Sequence, residues 1–243
     1  MMYYKAMSKN KVTLFNLPFW KIHTDDLINI LNKKEYNIYF CTMNEIVMAD
    51  QNTEFRKKLL KLKTVLVTDG MPLVWLMKHK TGFGERLYGP EFLKRILLDD
   101  KLKINNIFVG NNKNKEYFEK IGSYVVMPMR ERFTERDYNS LFEKIKKMKG
   151  DIVWLGLGAR KQIEVAYELK KRGINKVIIT VGAAFDFLSG NTRQAPIIIR
   201  NSGFEWLFRL LIEPKRLWPR YSQIIKFLVN KFRVNGLNFF DHI

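Results

Sequence analysis

Lys63-Thr-Val-Leu-Val-Thr-Asp-Gly-Met-Pro-Leu-Val-Trp75, continued by Gly84-Glu-Arg-Leu-Tyr-Gly-Pro-Glu91, is the part of the chain from which the fold can be read. Val65 to Val67 is an apolar, β-branched run. It breaks at Asp69-Gly70 and resumes from Met71 as a helix-like apolar pattern. A strand that stops at an acid and a glycine just ahead of a helix is how open α/β sheets present reactive groups at their carboxyl edge. Glu85-Arg86 and Gly89-Pro90-Glu91 form a second polar cluster within reach of the same edge.

Upstream, Val12 to Phe15 reads as a short strand ended by Pro18. Thr24-Asp25-Asp26 reads as a helix start, with a hydroxyl cap and acids in the first turn, followed by Leu27, Ile30 and Leu31 on one face. Ile38 to Thr42 is the next strand. Asn44 then caps a helix that carries Ile46, Val47, Leu59 and Leu60. Downstream of the decisive stretch, helices are expected over Met71–Lys78, Pro90–Leu98, Lys113–Ile121, Glu135–Met148 and Lys161–Lys171. Strands are expected over Asn106–Gly110, Tyr124–Met127, Ile152–Gly156 and Lys176–Val181. Strands alternating with 10–15-residue helical patterns give right-handed βαβ units. The expected class is therefore α/β: a Rossmann-like, mostly parallel sheet flanked by helices.

After Ala195-Pro196 the character changes. Ile197 to Ile199 is the last strand-like run. Phe204, Leu207, Phe208 and Leu211 form a helical stripe, as do Ile224, Phe227, Leu228 and Phe232, interleaved with Arg209, Lys215, Arg216, Arg220, Lys226, Lys231 and Arg233. This predicts a catalytic α/β domain over residues 1–196 and a basic amphipathic helical appendage over 197–243. Basic charge beside aromatics suits a membrane-surface helix pair; a C-terminal helix with a solvated basic face is the plainer alternative.

The 243 residues are 47% hydrophobic, enough to bury a large core, and carry a formal net charge of +19. Such a balance implies a polyanionic partner: nucleic acid, an anionic membrane surface or a phosphate-bearing substrate. The single cysteine, Cys41, precludes an internal disulfide. No apolar run reaches the ~18–20 residues that span a bilayer, and Met1 to Lys11 lacks the apolar stretch of a leader peptide. The expected setting is the cytoplasm, at most peripheral to a membrane.

Asp69 is the sharpest chemical candidate, because a carboxylate at a strand end can act as general base toward a hydroxyl nucleophile. The competing reading is that Asp-Gly is simply a turn. Thr42 and Asn44, at the end of the neighbouring strand, can line the same cleft. Gly156-Leu-Gly158 lies between a strand and a helix, where backbone N–H groups can approach a phosphate. Position 161 is Lys where a dinucleotide fingerprint needs a third Gly, which argues against NAD; Lys161 and Gln162 can still meet a nucleotide. Gly110-Asn-Asn112 is a weaker turn of the same kind. Asp186 can bind a sugar hydroxyl or cap its loop. His23, His79 and His242 are scattered, so a metal site is not expected. A diphosphate would then be met by arginines, with Arg86, Arg209, Arg216 and Arg220 as candidates.

These pieces, taken together, resemble the WecG/TagA/CpsF glycosyltransferases (glycosyltransferase family twenty-six). The resemblance rests on Thr42-x-Asn44, Asp69-Gly70, Glu85-Arg86 with Gly89-Pro90, and Gly156-Leu-Gly158 with Lys161-Gln162. It continues through Gly182-Ala-Ala-Phe-Asp186 and Glu205-Trp-Leu-x-Arg-Leu210 with Glu213-Pro214 and Arg216, and runs in order from about Leu14 to Tyr221. It implies an inverting, cofactor-free transfer of a sugar from a UDP-sugar to an undecaprenyl-diphosphate-linked saccharide. In the teichoic acid branch the sugar is N-acetylmannosamine; other branches transfer glucose or uronic acids into capsule and exopolysaccharide. By position, Asp69 would be the base, Thr42 and Asn44 would line the substrate pocket, Arg86 would contact substrate near the base, and Gln162 the nucleotide-sugar. The segment containing Glu205 would belong to a membrane-targeting appendage that brings Arg209, Arg216 and Arg220 to the leaving diphosphate. Three positions depart from the family's usual pattern: Arg160 for Pro, Ile163 for Glu and Gln194 for Arg. The competing class is a non-enzymatic basic α/β protein that binds nucleic acid, which would use the charge, Trp154 and the tail aromatics.

Overall fold

The structure, a computed structural model, describes residues 10–61, 63–99 and 105–235. Most of the N-terminal segment read as lacking a leader, together with His242 and residues 236–243 of the basic tail, lies outside them.

Eight strands form one sheet: β1 (Lys11–Leu14), β2 (Leu17–Trp20), β3 (Asn37–Cys41), β4 (Thr64–Thr68), β5 (Asn106–Gly110), β6 (Ser123–Val126), β7 (Ile152–Leu155) and β8 (Val177–Thr180). Their spatial order is β1-β2-β4-β3-β8-β7-β5-β6. Every pairing is parallel except β1 with β2. The central strands read as unbroken apolar runs because both of their faces are covered. Alternate side chains of β3 show this: Ile38 and Phe40 enter one apolar layer, Tyr39 and Cys41 the other.

The first layer holds α1 (Thr24–Asn32), α5 (Gly89–Leu98), Phe118 of α6 (Lys115–Glu119) and α9 (Ala184–Leu188). The second holds α2 (Met43–Gln51), α3 (Thr53–Leu60), α4 (Met71–Thr81), α7 (Glu135–Lys147) and α8 (Ala159–Lys171). Three short or late helices follow: α10 (Ile197–Asn201), α11 (Glu205–Ile212) and α12 (Pro214–Asn235). The α/β class and the C-terminal helices agree with the sequence reading.

Four local expectations are corrected. Pro18 does not end the first strand region; it lies within β2. Phe15 and Asn16 adopt φ of 50° and 61° and form a two-residue turn. The hairpin they make pairs Thr13 with Pro18 and Val12 with Phe19. Alternation along the ladder directs the missing N–H of Pro18 away from β1, so the proline costs that pairing nothing. The helix expected from Asn44 through Leu60 is two helices, broken at Asn52, whose side chain accepts from the Phe55 N–H at 2.9 Å and starts α3. Thr24 does not cap α1. Its N–H and hydroxyl both donate to Glu85 Oε1, at 3.0 and 3.1 Å, so a carboxylate remote in sequence satisfies the helix start. Ile197 to Ile199 is helical rather than extended, and Ile197 and Ile198 are exposed.

Candidate active site

The carboxyl edge of the sheet carries, in adjacent positions, the ends of β4 and β3. Asp69 follows β4 directly. Its N–H donates to the Cys41 carbonyl at 2.9 Å, which ties the two strand ends together. Gly70 then starts α4, and a Cβ there would stand 3.2 Å from the Thr42 Cβ, so a side chain at 70 would push the two strand ends apart.

Thr42, rather than Asn44, is the N-cap of α2. Its hydroxyl accepts from the Asn44 N–H at 3.2 Å, while its N–H and hydroxyl donate to Glu45 Oε2 at 2.8 and 2.7 Å. This is a capping box, and Thr42-x-x-Glu45 was its signal in the sequence. The Asn44 amide reaches the Met48 sulfur at 3.5 Å. Glu45 is thereby buried close to Asp69, a feature the sequence reading missed.

The segment between α4 and α5 runs alongside the end of β4. The Leu87 N–H donates to the Thr68 carbonyl at 3.0 Å, and Arg86 Nε donates to the Asp69 carbonyl at 2.7 Å. Arg86 Nη2 then meets two carboxylates. It lies 2.7 Å from Glu205 Oε2, on α11, and 3.8 Å from Asp69 Oδ1. The Tyr88 hydroxyl donates to Glu205 Oε1 at 2.7 Å, and Gln194 Nε2 donates to the Tyr88 oxygen at 2.9 Å. The Arg86 guanidinium also lies over the Tyr88 ring, 4.1 Å from its centroid. Tyr88 and Gln194 were not sequence candidates; Gln194 was visible only as a departure from the family pattern.

Asp69 Oδ1 is buried without a hydrogen-bond donor. Burial pushes its pKa from the ordinary 3.8 to about 7. Arg86 opposes the rise, the carboxylates of Glu205 and Glu45 add to it, and Arg209 opposes it. The Arg86 pKa is raised: burial disfavours its charge, but Asp69 and Glu205 more than offset that.

From the tail, Arg209, Arg216 and Arg220 converge electrostatically. Burial lowers the Arg220 pKa; Glu45 opposes this, while Arg209 and Arg216 push the same way as burial. Arg209 Nε is buried without a hydrogen-bond partner, and its guanidinium lies 5.2 Å from the Phe187 ring centroid. Arg216 is clamped to Glu213, with its Nε at 3.0 Å from Oε1.

The remaining candidates lie further along the edge. Gln162 is buried, and its Oε1 accepts from the Gly182 N–H at 3.0 Å, fixing the turn after β8. Gly156 and Gly110 border Phe185: a Cβ on Gly156 would come to 2.4 Å from its ring, and one on Gly110 to 3.0 Å from the ring and 2.3 Å from the Tyr124 hydroxyl. Their missing side chains are required by that packing. Gly158, the N-cap of α8, has φ of 82° and open space around it. Lys161 lines a groove of about 310 Å³ with Asn111, Met127, Arg130, Phe133 and Leu157. Asp186 accepts from Asn114 Nδ2 and pairs with Lys113 Nζ, both at 3.0 Å. With β4, β3, β8, β7 and β5 side by side, the Asp69 end and the groove end are four strand spacings apart, roughly 19 Å at about 4.8 Å each. The edge therefore suits an elongated ligand, with a carboxylate at one end and a basic, partly apolar groove at the other.

Trp154 is fully buried, and its Nε1 donates to Asn106 Oδ1 at 2.7 Å, so it offers no stacking surface to a nucleic acid. Among the described residues, no group of three or more His, Cys, Asp or Glu is placed to hold a metal ion, and no helix is long and apolar enough to cross a membrane. Compared with known families, the chain matches the glycosyl transferase WecG/TagA/CpsF family over residues 12–237.

Proposed function

Because the chain belongs to the WecG/TagA/CpsF family, glycosyltransferases of cell-surface polysaccharide synthesis, we propose that it transfers a sugar with inversion from a UDP-sugar to an undecaprenyl-diphosphate-linked saccharide. The favoured sugar is N-acetylmannosamine. The observation that carries this reading is Asp69: a carboxylate at the sheet's carboxyl edge, poised near neutrality, beside a cluster of arginines.

In the reaction, an acceptor hydroxyl attacks the anomeric carbon on the face opposite UDP. Its proton passes to the Asp69 carboxylate as the new C–O bond forms. The bond to UDP breaks, and its electron pair stays on the β-phosphate oxygen. Thr42 and Asn44 shape the pocket at the base end, and Arg86 orients the base and meets substrate beside it. The groove at Lys161, the turn at Gly158 and the edge residues Gly110, Gly156, Gln162 and Asp186 form the nucleotide-sugar end. Arg209, Arg216 and Arg220 stabilise diphosphate charge in place of a bound cation. Phe204, Leu211, Trp218 and Phe232 are exposed among the basic residues of the C-terminal helices. They favour peripheral docking on an anionic membrane, at its cytoplasmic face, where a lipid-linked acceptor resides.

The test is UDP release from a panel of UDP-sugars with a short-chain lipid-diphosphate N-acetylglucosamine acceptor, comparing wild type with Asp69→Asn, with and without EDTA. Acceptor-dependent release that survives EDTA and vanishes in the variant is expected, and the panel separates N-acetylmannosamine from glucosyl or uronosyl donors. Silence across donors and varied acceptors would overturn the proposal.

A further inference from the structure

Arg86 has one position from which it can serve two carboxylates. Its Nε is fixed on the Asp69 main-chain carbonyl at 2.7 Å, so Nη2 stays within reach of the Asp69 side chain. Nη2 nevertheless lies at 2.7 Å from Glu205 Oε2 and at 3.8 Å from Asp69 Oδ1. The first is a charge-assisted hydrogen bond, and the second is beyond hydrogen-bonding distance. Asp69 Oδ1 is left buried and without a donor as a result. Two further groups hold Glu205 in the competing position, the Tyr88 hydroxyl on its other oxygen and Gln194 behind Tyr88.

Glu205 is also the one buried residue of α11; Trp206, Phe208 and Leu210 are only half-buried, and Phe204, Leu207, Leu211 and Ile212 are exposed. An ordinary docked helix buries an apolar face. This one inserts a carboxylate, so the seating of α11 and the partner choice of Arg86 are one event.

We propose that Glu205 is a positioning residue that draws Arg86 away from Asp69, so that the seating of α11 leaves the Asp69 carboxylate undonated and ready to accept a proton. With α11 unseated, Nη2 would close the short gap to Asp69 Oδ1, and a carboxylate so paired is a poor base. The same helix carries Arg209, which faces Asp69 electrostatically. The base is thus armed only when the arginine-bearing segment is in place, which disfavours activating water in an open site. The inference rests on the reading of Asp69 as the base.

The charged groups that bear on Asp69 are Arg86 from the segment before α5, Glu205 and Arg209 from α11, and Glu45 from α2; the Cys41 thiol of β3 and the Tyr88 hydroxyl also face it. The test is the ionisation of Asp69 in the full chain, followed by carbon-13 NMR of its carboxyl, with Asp69→Asn giving the assignment. In Glu205→Gln, Arg86 is released to Asp69 and a like charge is lost, so the titration midpoint is expected to fall by about one pH unit or more. The acid limb of kcat/KM is expected to fall with it. Tyr88→Phe, which removes one hydrogen bond holding Glu205 but keeps its charge beside Arg86, is expected to lower the midpoint by less than Glu205→Gln does. If Glu205→Gln does not fold, Glu205→Asp, whose carboxylate is one methylene further from Arg86, moves the midpoint in the same direction. An unmoved midpoint in a folded Glu205 variant would overturn the inference. A shifted midpoint in a protein with no transferase activity would uphold the coupling and count against the proposed function alone.

Discussion

Phe185 fills the space in which a side chain at Gly156 would have to sit: a Cβ there would approach the ring to 2.4 Å. The ring also packs on Phe118, 4.2 Å between centroids, and on Phe108 at 5.8 Å, so it has little room to retreat. Gly156→Ala is therefore expected to destabilise the fold by about 1–3 kcal/mol, the usual cost of overpacking a rigid core. Urea unfolding measures it. At Gly158 no atom opposes a Cβ, and only the positive φ resists substitution. With φ of 82° and ψ of 157° this residue lies in a region essentially restricted to glycine, so Gly158→Ala is expected to cost about 1–3 kcal/mol.

The C-terminal helix is anchored at its far end as well as at the site. Phe227 of α12 is buried against Phe15 in the β1–β2 turn, with ring centroids 5.3 Å apart, and Lys231 pairs with Asp50 of α2 at 2.8 Å. Phe227→Ala removes a large apolar contact from one helix and leaves the sheet untouched. The expected result is faster amide hydrogen exchange along α12, with β3, β4, β7 and β8 still protected. Global stability should drop by about 2–4 kcal/mol if α12 unfolds with the core, and hardly at all if it opens alone. Turnover should fall in either case under the proposed role of Arg220, which is on the same helix.

The parallel sheet was legible because its strands are buried on both faces and so appear as uniform apolar runs, with Val65 to Val67 the clearest. Asp69 was legible because the run ends on it. The hairpin was not, because its turn is Phe15-Asn16, with no glycine, and Pro18 argues locally for a break that the ladder's alternation makes harmless. The Thr42–Glu45 capping box could have been read from its spacing; the asparagine beside it drew the cap assignment instead. The Arg86–Glu205–Tyr88–Gln194 cluster joins residues more than a hundred positions apart. No periodicity encodes such a contact, and only the folded chain assembles it. The glycines at 110 and 156 read as phosphate turns in the sequence; that they also make room for Phe185 and, at 110, for the Tyr124 hydroxyl shows only in the folded chain.

Asp69 links activity and stability with opposite signs. In the folded protein its pKa is about 7, against an ordinary 3.8. Between those values the folded state holds a proton that the unfolded state has released, so stability falls as pH rises from about 4 to about 7 and stays at the lower level above that. As a base, however, Asp69 must be ionised, so kcat/KM is expected to rise through an apparent pKa of about 7. Asp69→Asn removes the titration. The variant should be inactive yet more stable than wild type at pH 8, by on the order of 4 kcal/mol at one pKa unit per 1.4 kcal/mol, with the difference shrinking as pH is lowered toward 4. Thermal melts of both proteins across that range measure it. Parallel melting curves with no pH-dependent gap would mean that Asp69 is already ionised in the folded protein at low pH, and a carboxylate so stabilised would be too weak a base for the proposed reaction.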